Sequence, residues 1–209
     1  MTLADLFQQW YEAPKVGVLS IATSGLKPDQ DEVIGFATVC GTVGSNEAVA
    51  DVTLRFVPDK ELLEPAQAYH KITPDNAREM GLQPGDFLHK LERVIKDNDL
   101  LFTYNVPFQF SFIENALQEE PETVQLYDLS VVYRALDCYT FDSEDLIFFR
   151  SFYSACCSVA TPMSVASICR KTGMSREADP GQFPMERMAL VLRKLFEEAC
   201  AKEVHAFQS

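Results

Sequence analysis

The stretch Val16-Gly17-Val18-Leu19-Ser20-Ile21-Ala22-Thr23-Ser24-Gly25-Leu26 decides how this chain of 209 residues folds. Its first part lies within Lys15 to Ala22, a short run, apolar after Lys15, of the kind that forms a buried strand. Ser24-Gly25-Leu26-Lys27-Pro28 breaks the run into a turn. Asp31-Glu32-Val33-Ile34 then opens a second β-rich segment, Glu32 to Val43, and a third, Glu47 to Val57, follows across Gly44-Ser45-Asn46. The spacing predicts three strands, the last two paired as an antiparallel hairpin.

Beyond Thr73 the period changes from two to about 3.6. Thr73-Pro74-Asp75 reads as a helix start with Pro at its first position, and Gly81 stops that helix. Pro84 opens another, carrying Phe87, Leu88, Leu91, Val94 and Ile95 at helical spacing. Leu100 to Tyr104 reads as a strand, the segment around Phe108, Phe112 and Leu117 as a helix, Val124 to Tyr127 as a fifth strand and Leu129 to Leu136 as a helix. At the other end, Thr2-x-x-Asp5 resembles a capping box, and Leu3, Phe7 and Trp10 follow it, so residues 1–14 are expected to hold an N-terminal helix. An aromatic-rich helical insertion is expected over 137–161, followed by helices at Pro162 to Lys171 and Phe183 to Lys202. The order β-β-β-α-β-α-β-α predicts an α/β domain spanning 1–209. Its mixed five-stranded sheet is flanked by helices, with an extra helical segment in the C-terminal half.

Hydrophobic residues make up 47% of the chain and charged residues 23%, with fifteen Phe, which fits a packed core and excludes a disordered chain. The formal charge of −13 disfavours any function that needs a large basic surface, nonspecific duplex binding among them. Phe102 to Arg150 carries nine acids against Arg134 and Arg150, so a polyanion is better tolerated by the C-terminal third. Met1-Thr2-Leu3-Ala4-Asp5 has no basic leader pattern, and no apolar run reaches membrane-spanning length, so a cytoplasmic protein without membrane contact is expected. Cys40, Cys138, Cys156, Cys157, Cys169 and Cys200 show neither a C-x-x-C pair nor zinc spacing, and reduced thiols are expected. His70, His89 and His205 are isolated from one another, and His70 is expected to end a strand. No dinucleotide, Walker or G-x-S-x-G pattern is present.

Five words in order resemble the RNase H-like fold of DnaQ-type 3′–5′ exonucleases, the DEDD family. Val18-Leu19-Ser20-Ile21-Ala22-Thr23-Ser24-Gly25-Leu26, with Asp31-Glu32-Val33-Ile34 after it, is similar to the family's D-x-E-T-T-G-L and D-E-I-I. Tyr104-Asn105-Val106-Pro107-Phe108-Gln109 resembles H-N-x-x-F-D. His70-x-Ile72-Thr73 resembles H-x-I-T, and Leu126-Tyr127-Asp128-Leu129 resembles the D-T/D-L word. Phe183-x-x-x-x-Met188-Ala189 fits the frame of H-x-x-x-x-D-A. The likeness runs from Lys15 to Glu203.

The resemblance implies a catalytic centre of two Mg²⁺ or Mn²⁺ held by four carboxylates, with a His as general base. Hard anionic oxygens are what such a pair of ions requires. On that frame the acids fall on Ser20, Ala22, Gln109 and Met188, and the His falls on Phe183. Ser and Gln offer one neutral oxygen each, whereas Ala, Phe and Met offer no hard ligand. A pocket without anionic oxygens does not hold paired dications. The expectation is a catalytically inactive relative that uses no metal cofactor and works by binding, foremost to another protein. Phe183 and Met188, together with Ala22, are expected to fill the former cleft.

Two alternatives stay open. Thr23, Gly25, Leu26, Asn105 and Phe108 match family residues beside the terminal nucleotide, which implies nucleic-acid binding without cleavage. Turn formation and core packing are their other reading. The second alternative is a metal-dependent 3′–5′ exonuclease acting on single-stranded nucleic acid with relocated ligands. It would draw on Asp29, Asp31, Glu32 and Asp128 for Mg or Mn, or on Glu186 in the last helix. Solvated turn residues and a helix cap are the plainer account of those acids. The aromatic segment Tyr139 to Tyr153 reads either as a helix buried on the domain or as a protein-docking surface framed by Asp142, Glu144 and Asp145. A homodimer, which some family members form, is open as well.

Overall fold

The computed structural model describes residues 16–41, 50–56, 64–98, 100–117, 126–128 and 164–207. The expected N-terminal helix, the hairpin turn at 44–46, the helix at 129–136 and the aromatic insertion at 137–161 lie outside the described residues.

The apolar run quoted above forms β1 (Val16–Thr23), and the two segments after it form β2 (Val33–Gly41) and β3 (Asp51–Arg55). Helices α1 (Glu64–His70) and α2 (Pro74–Met80) follow, then a two-residue strand, β4 (Gly81–Leu82). The second half alternates: α3 (Pro84–Lys96), β5 (Leu100–Thr103), α4 (Val106–Leu117) and β6 (Leu126–Asp128). Two helices end the described chain, α5 (Val165–Thr172) and α6 (Pro184–Phe207). The strands form one sheet in the order β4-β3-β2-β1-β5-β6. β2 runs antiparallel to both β1 and β3, while β5 and β6 run parallel to β1. This is the expected mixed five-stranded sheet, with β4 added in parallel at the outer edge of β3.

Local chemistry accounts for the helix boundaries. Thr73 caps α2 with a reciprocal pair of bonds: its Oγ1 accepts from the Asn76 N–H, and Asn76 Oδ1 accepts from the Thr73 N–H, each at 3.1 Å. Ser164 caps α5 by accepting from the Ser167 N–H, and Gly173 ends that helix in the left-handed region, at φ 66°. The short helix α1 is absent from the sequence reading, and His70 ends it rather than a strand. Its last turn closes when the Lys71 N–H donates to the Gln67 carbonyl, with Lys71 itself at φ 60°.

Both faces of the sheet are covered, which is why β1 is apolar on each side. On one face Leu19, Ile21, Phe36 and Leu101 pack against Phe87, Leu91 and Ile95 of α3 and against Phe112 and Ile113 of α4. The Phe36 and Phe87 rings lie 5.3 Å apart between centroids. On the other face Ala22, Ala37, Val39 and Leu54 pack with Ile72, Ala77, Met185 and Ala189. Alternation along β1 therefore sends residue 22 toward α6 and residue 21 toward α3 and α4. Among the described residues no helix is long and apolar enough to cross a membrane.

Candidate functional site

The C-terminal half of β1 is the centre around which the sequence-derived positions gather. Ser20 and Ala22 are both buried and, by alternation, share the side of the strand that faces α6. Ala22 stands opposite Gly35 in the β1–β2 register. Two small residues side by side leave a hollow in the sheet, and apolar groups fill it. A β-carbon on Gly35 would meet Met185 Cε at 3.0 Å, with Ile72 Cδ1 and Leu54 Cδ2 at 3.1 Å. Phe183, just ahead of α6, packs against the same cluster. Met188 is half-buried on α6, one turn beyond Met185. The structure thus brings Ala22 and Phe183 together, and Met185 fills the space between sheet and helix.

Gln109 reaches β1 from the other side. β1 and β5 pair from Val16↔Leu100 to Val18↔Phe102 and part beyond that point. Ile21 lies past the last pair, and its N–H donates to Gln109 Oε1 at 3.2 Å. The carboxamide thus supplies the acceptor that the diverging strand no longer provides. Asn105 sets the start of α4: its carbonyl accepts from the N–H groups of Phe108 and Gln109, and its φ of 59° is one that Asn tolerates better than most residues. Phe108 is half-buried, its ring 4.9 Å from that of Phe112 between centroids, so packing is part of its role.

The loop after β1 is internally tied. Thr23 Oγ1 donates to the Gly25 carbonyl at 2.6 Å. Ser24 and Glu32 exchange bonds, Ser24 N–H to the Glu32 carbonyl and Glu32 N–H to Ser24 Oγ, each at 2.9 Å. Asp31 Oδ2 accepts from the Lys27 N–H, and the Asp31 carboxylate lies so close over Gly25 that a β-carbon there would stand 2.3 Å from it. Asn115 of α4 donates to the Pro28 carbonyl at 2.7 Å and anchors the far side. From this framework Leu26 projects with 80% of its surface exposed.

Three of the acids named for a relocated metal site, Asp31, Glu32 and Glu186, have other partners. Asp31 is bound within the loop, and Glu32 pairs with Arg55 at 2.7 Å. Glu186 accepts from the Phe183 N–H and from Gln182 Nε2, each at 3.3 Å, which caps α6. Asp29 accepts a long bond from Gln30 at 3.5 Å, and Asp128 is placed at the end of β6 opposite Thr103. Among the described residues no three His, Cys, Asp or Glu side chains are grouped so as to hold a metal ion. The groups around Ala22 are alkyl, thioether and phenyl, so they do not fit the paired dications that the resemblance implies.

His70 is buried beside the cluster that holds Ile72. Its Nδ1 accepts from the Ile72 N–H at 2.9 Å, which makes Nε2 the protonated nitrogen, and among the described residues Nε2 meets no acceptor. Burial depresses its pKa to about 4. Sequence reasoning missed Gly35, Ile72 and Met185 as parts of this region. The available signal was Gly35 itself, since a glycine inside a strand marks close approach by another group.

No family model and no curated protein matches the chain. Its fold is matched by solved structures of exonuclease I. The zinc-bound form of the E. coli exonuclease I–ssDNA complex superposes with a TM-score of 0.66 at 16% identity, covering 94% of this chain and 42% of that one. A product-bound exonuclease I gives 0.62 at 17% identity, covering 92% and 44%. An exonuclease I complex with SSB-Ct gives 0.61 at 15% identity, covering 93% and 44%. The chain spans less than half the length of each. At these identities the likeness establishes the RNase H-like exonuclease fold.

Proposed function

We propose that this chain is a catalytically silent relative of DnaQ-type exonucleases that acts by binding rather than by cutting. The observation that carries this reading is the apolar filling beside Ala22, where Met185, Ile72 and Phe183 converge. Paired dications need anionic oxygen there, and a group that leaves its hydration shell for thioether and alkyl contacts gains nothing in return. Loss of a general base alone costs roughly 10²–10⁴ in rate. Loss of the metal-activated nucleophile adds to that. The test is incubation of purified protein with a 3′-labelled single strand and Mg²⁺ or Mn²⁺. The strand stays intact on this reading, and metal-dependent trimming overturns it.

The partner class expected first is a protein, for which a pull-down is the direct test; the SSB-Ct complex of exonuclease I is a precedent in a protein of this fold. The segment Tyr139 to Tyr153 expected to carry that contact lies outside the described residues. One observation favours a second reading, contact with single-stranded nucleic acid without cleavage. The tied loop after β1 holds an apolar side chain, Leu26, out in solvent at the end of the central strand. A preformed apolar projection of this kind offers a van der Waals surface against which the face of an unpaired base can pack. The exonuclease I structures include complexes with ssDNA, which is a property of those proteins. The relocated-ligand exonuclease is disfavoured, because Asp31, Glu32 and Glu186 are engaged in loop, ion-pair and cap.

A further inference from the structure

We infer that α1 is an acid-releasable latch, held against the body of the protein by the neutral imidazole of His70 and freed when that ring takes up a proton. α1 lies against β1 and α6. Of its described side chains, those of residues 66–70, only His70 is buried. Ala68 and Tyr69 are exposed, and Ala66 and Gln67 are half-buried. A seven-residue helix has little stability of its own, so its place depends on the tertiary contact it makes. Here that contact centres on one ring that can be charged.

The surroundings of the ring suit its neutral form alone. A proton on Nδ1 would set two donors face to face, because Nδ1 accepts from the Ile72 N–H. Nε2 meets no acceptor among the described residues, so the imidazolium gains no partner there. No described carboxylate is free to offset the charge. β1 carries no ionisable side chain. On α6, Glu186 caps the helix, Arg187 pairs with Asp179, and Arg193 and Lys194 pair with Glu197. On α1 the other described ionisable group, Tyr69, faces solvent; on α2 Asp75 pairs with Arg78, and Glu79 is exposed. Burial is accordingly the cause that depresses the pKa, to about 4.

The chain beyond the ring sets where release stops. Lys71 stands at φ 60°, a strain that release relieves. Thr73 then starts α2 with a cap of its own, so α2 keeps its start when α1 leaves. Once released, the ring is hydrated and titrates near the ordinary 6.5, whereas docked it titrates near 4. The released state therefore binds the proton first, and release gains as pH falls from 6.5 toward 4. Between pH 7.5 and pH 5 the release equilibrium should rise about thirtyfold.

The experiment is hydrogen exchange of the full chain at pH 7.5 and pH 5, read by mass spectrometry on peptides covering 64–72 and 16–23 and corrected for the intrinsic rate. Protection over 64–72 should fall about thirtyfold between the two conditions. Urea below the unfolding transition should leave that exchange unchanged, because release exposes little surface, while it speeds exchange in β1. His70→Asn presents an oxygen to the Ile72 N–H and cannot be charged, so its 64–72 peptide should show no step between pH 7.5 and pH 5. That holds even if the variant docks α1 less firmly, since exchange would then rise equally at both. Wild-type protection that does not change with pH, or exchange over 64–72 that matches β1 and rises with urea as β1 does, overturns the inference. So does a pH step that persists in His70→Asn.

Discussion

Met185 Cε lies 3.0 Å from the point that a β-carbon on Gly35 would occupy, and Gly35 is the cross-strand partner of Ala22. A thioether from the last helix therefore packs in one cluster with Ala22, the position to which the family resemblance assigns the second acid. The silence proposed for this chain is a matter of packing as well as of missing ligands. Interiors are close-packed, and a filled hollow resists the return of a bulkier charged group.

Two substitutions measure that packing. Met185→Ala should lower the free energy of unfolding by about 2–5 kcal/mol, the usual range for emptying a buried Met site, while Met185→Leu should cost less than about 1.5 kcal/mol. Ala22→Glu should destabilise at pH 7 by more than about 2 kcal/mol through burial of an unpaired charge, and recover in part near pH 4 as the carboxyl protonates. Urea denaturation followed by fluorescence gives each value. A neutral Ala22→Glu at pH 7 would show that the hollow has room for a carboxylate.

Gly25 and Asp31 should couple. A β-carbon at residue 25 would stand 2.3 Å from Asp31 Oδ2, the atom that accepts from the Lys27 N–H. Gly25→Ala alone should cost about 1–3 kcal/mol through overpacking. In the background of Asp31→Ala the same change should cost clearly less, and the double-mutant cycle reads the difference.

Much of the fold was legible because its signals are local. Pro74, Gly81, Pro84 and the alternating strands mark boundaries that the structure keeps within a few residues. Helix α1 escaped because it is a single short piece of seven residues with no stop signal beyond it. Lys71 takes the left-handed position that glycine usually announces. The candidate site was half legible. Ser20, Ala22 and Gln109 sit on elements that the motif words located, so their convergence on β1 could be expected. The filling of the site by Met185 and Ile72 could not, because it depends on which helical residue meets a glycine on a distant strand. The bond from Ile21 to Gln109 depends likewise on where β1 and β5 part.

Lys71 offers a test of backbone strain in isolation. A non-glycine residue in the left-handed region carries a cost of roughly 1–2 kcal/mol, and Lys71 adopts φ 60° at an exposed helix end. Lys71→Gly should stabilise the protein by about 0.5–1 kcal/mol, part of the relief being offset by the entropy of glycine in the unfolded chain. Thermal melting would show a raised midpoint.

His70 should govern part of the acid response. Its folded-state pKa of about 4 lies below the ordinary 6.5 because burial disfavours the imidazolium. The folded state therefore prefers the neutral ring, and the unfolded state takes up the proton first. The contribution is fully present above pH 6.5 and is lost as pH falls from 6.5 toward 4, up to about 3 kcal/mol in all. His70→Asn, which can present an oxygen to the Ile72 N–H, should flatten the stability profile across that window. Urea midpoints at half-unit pH steps give the comparison. An unchanged slope in the variant would place the acid response elsewhere.

Titration of the purified chain with Mn²⁺ in a calorimeter, at physiological ionic strength, tests the central claim most directly. The account predicts no tight stoichiometric event, only the weak heats of ions around an acidic surface. Saturable binding of two ions per chain, abolished by Gln109→Ala and accompanied by shortening of a 3′-labelled strand, would contradict it.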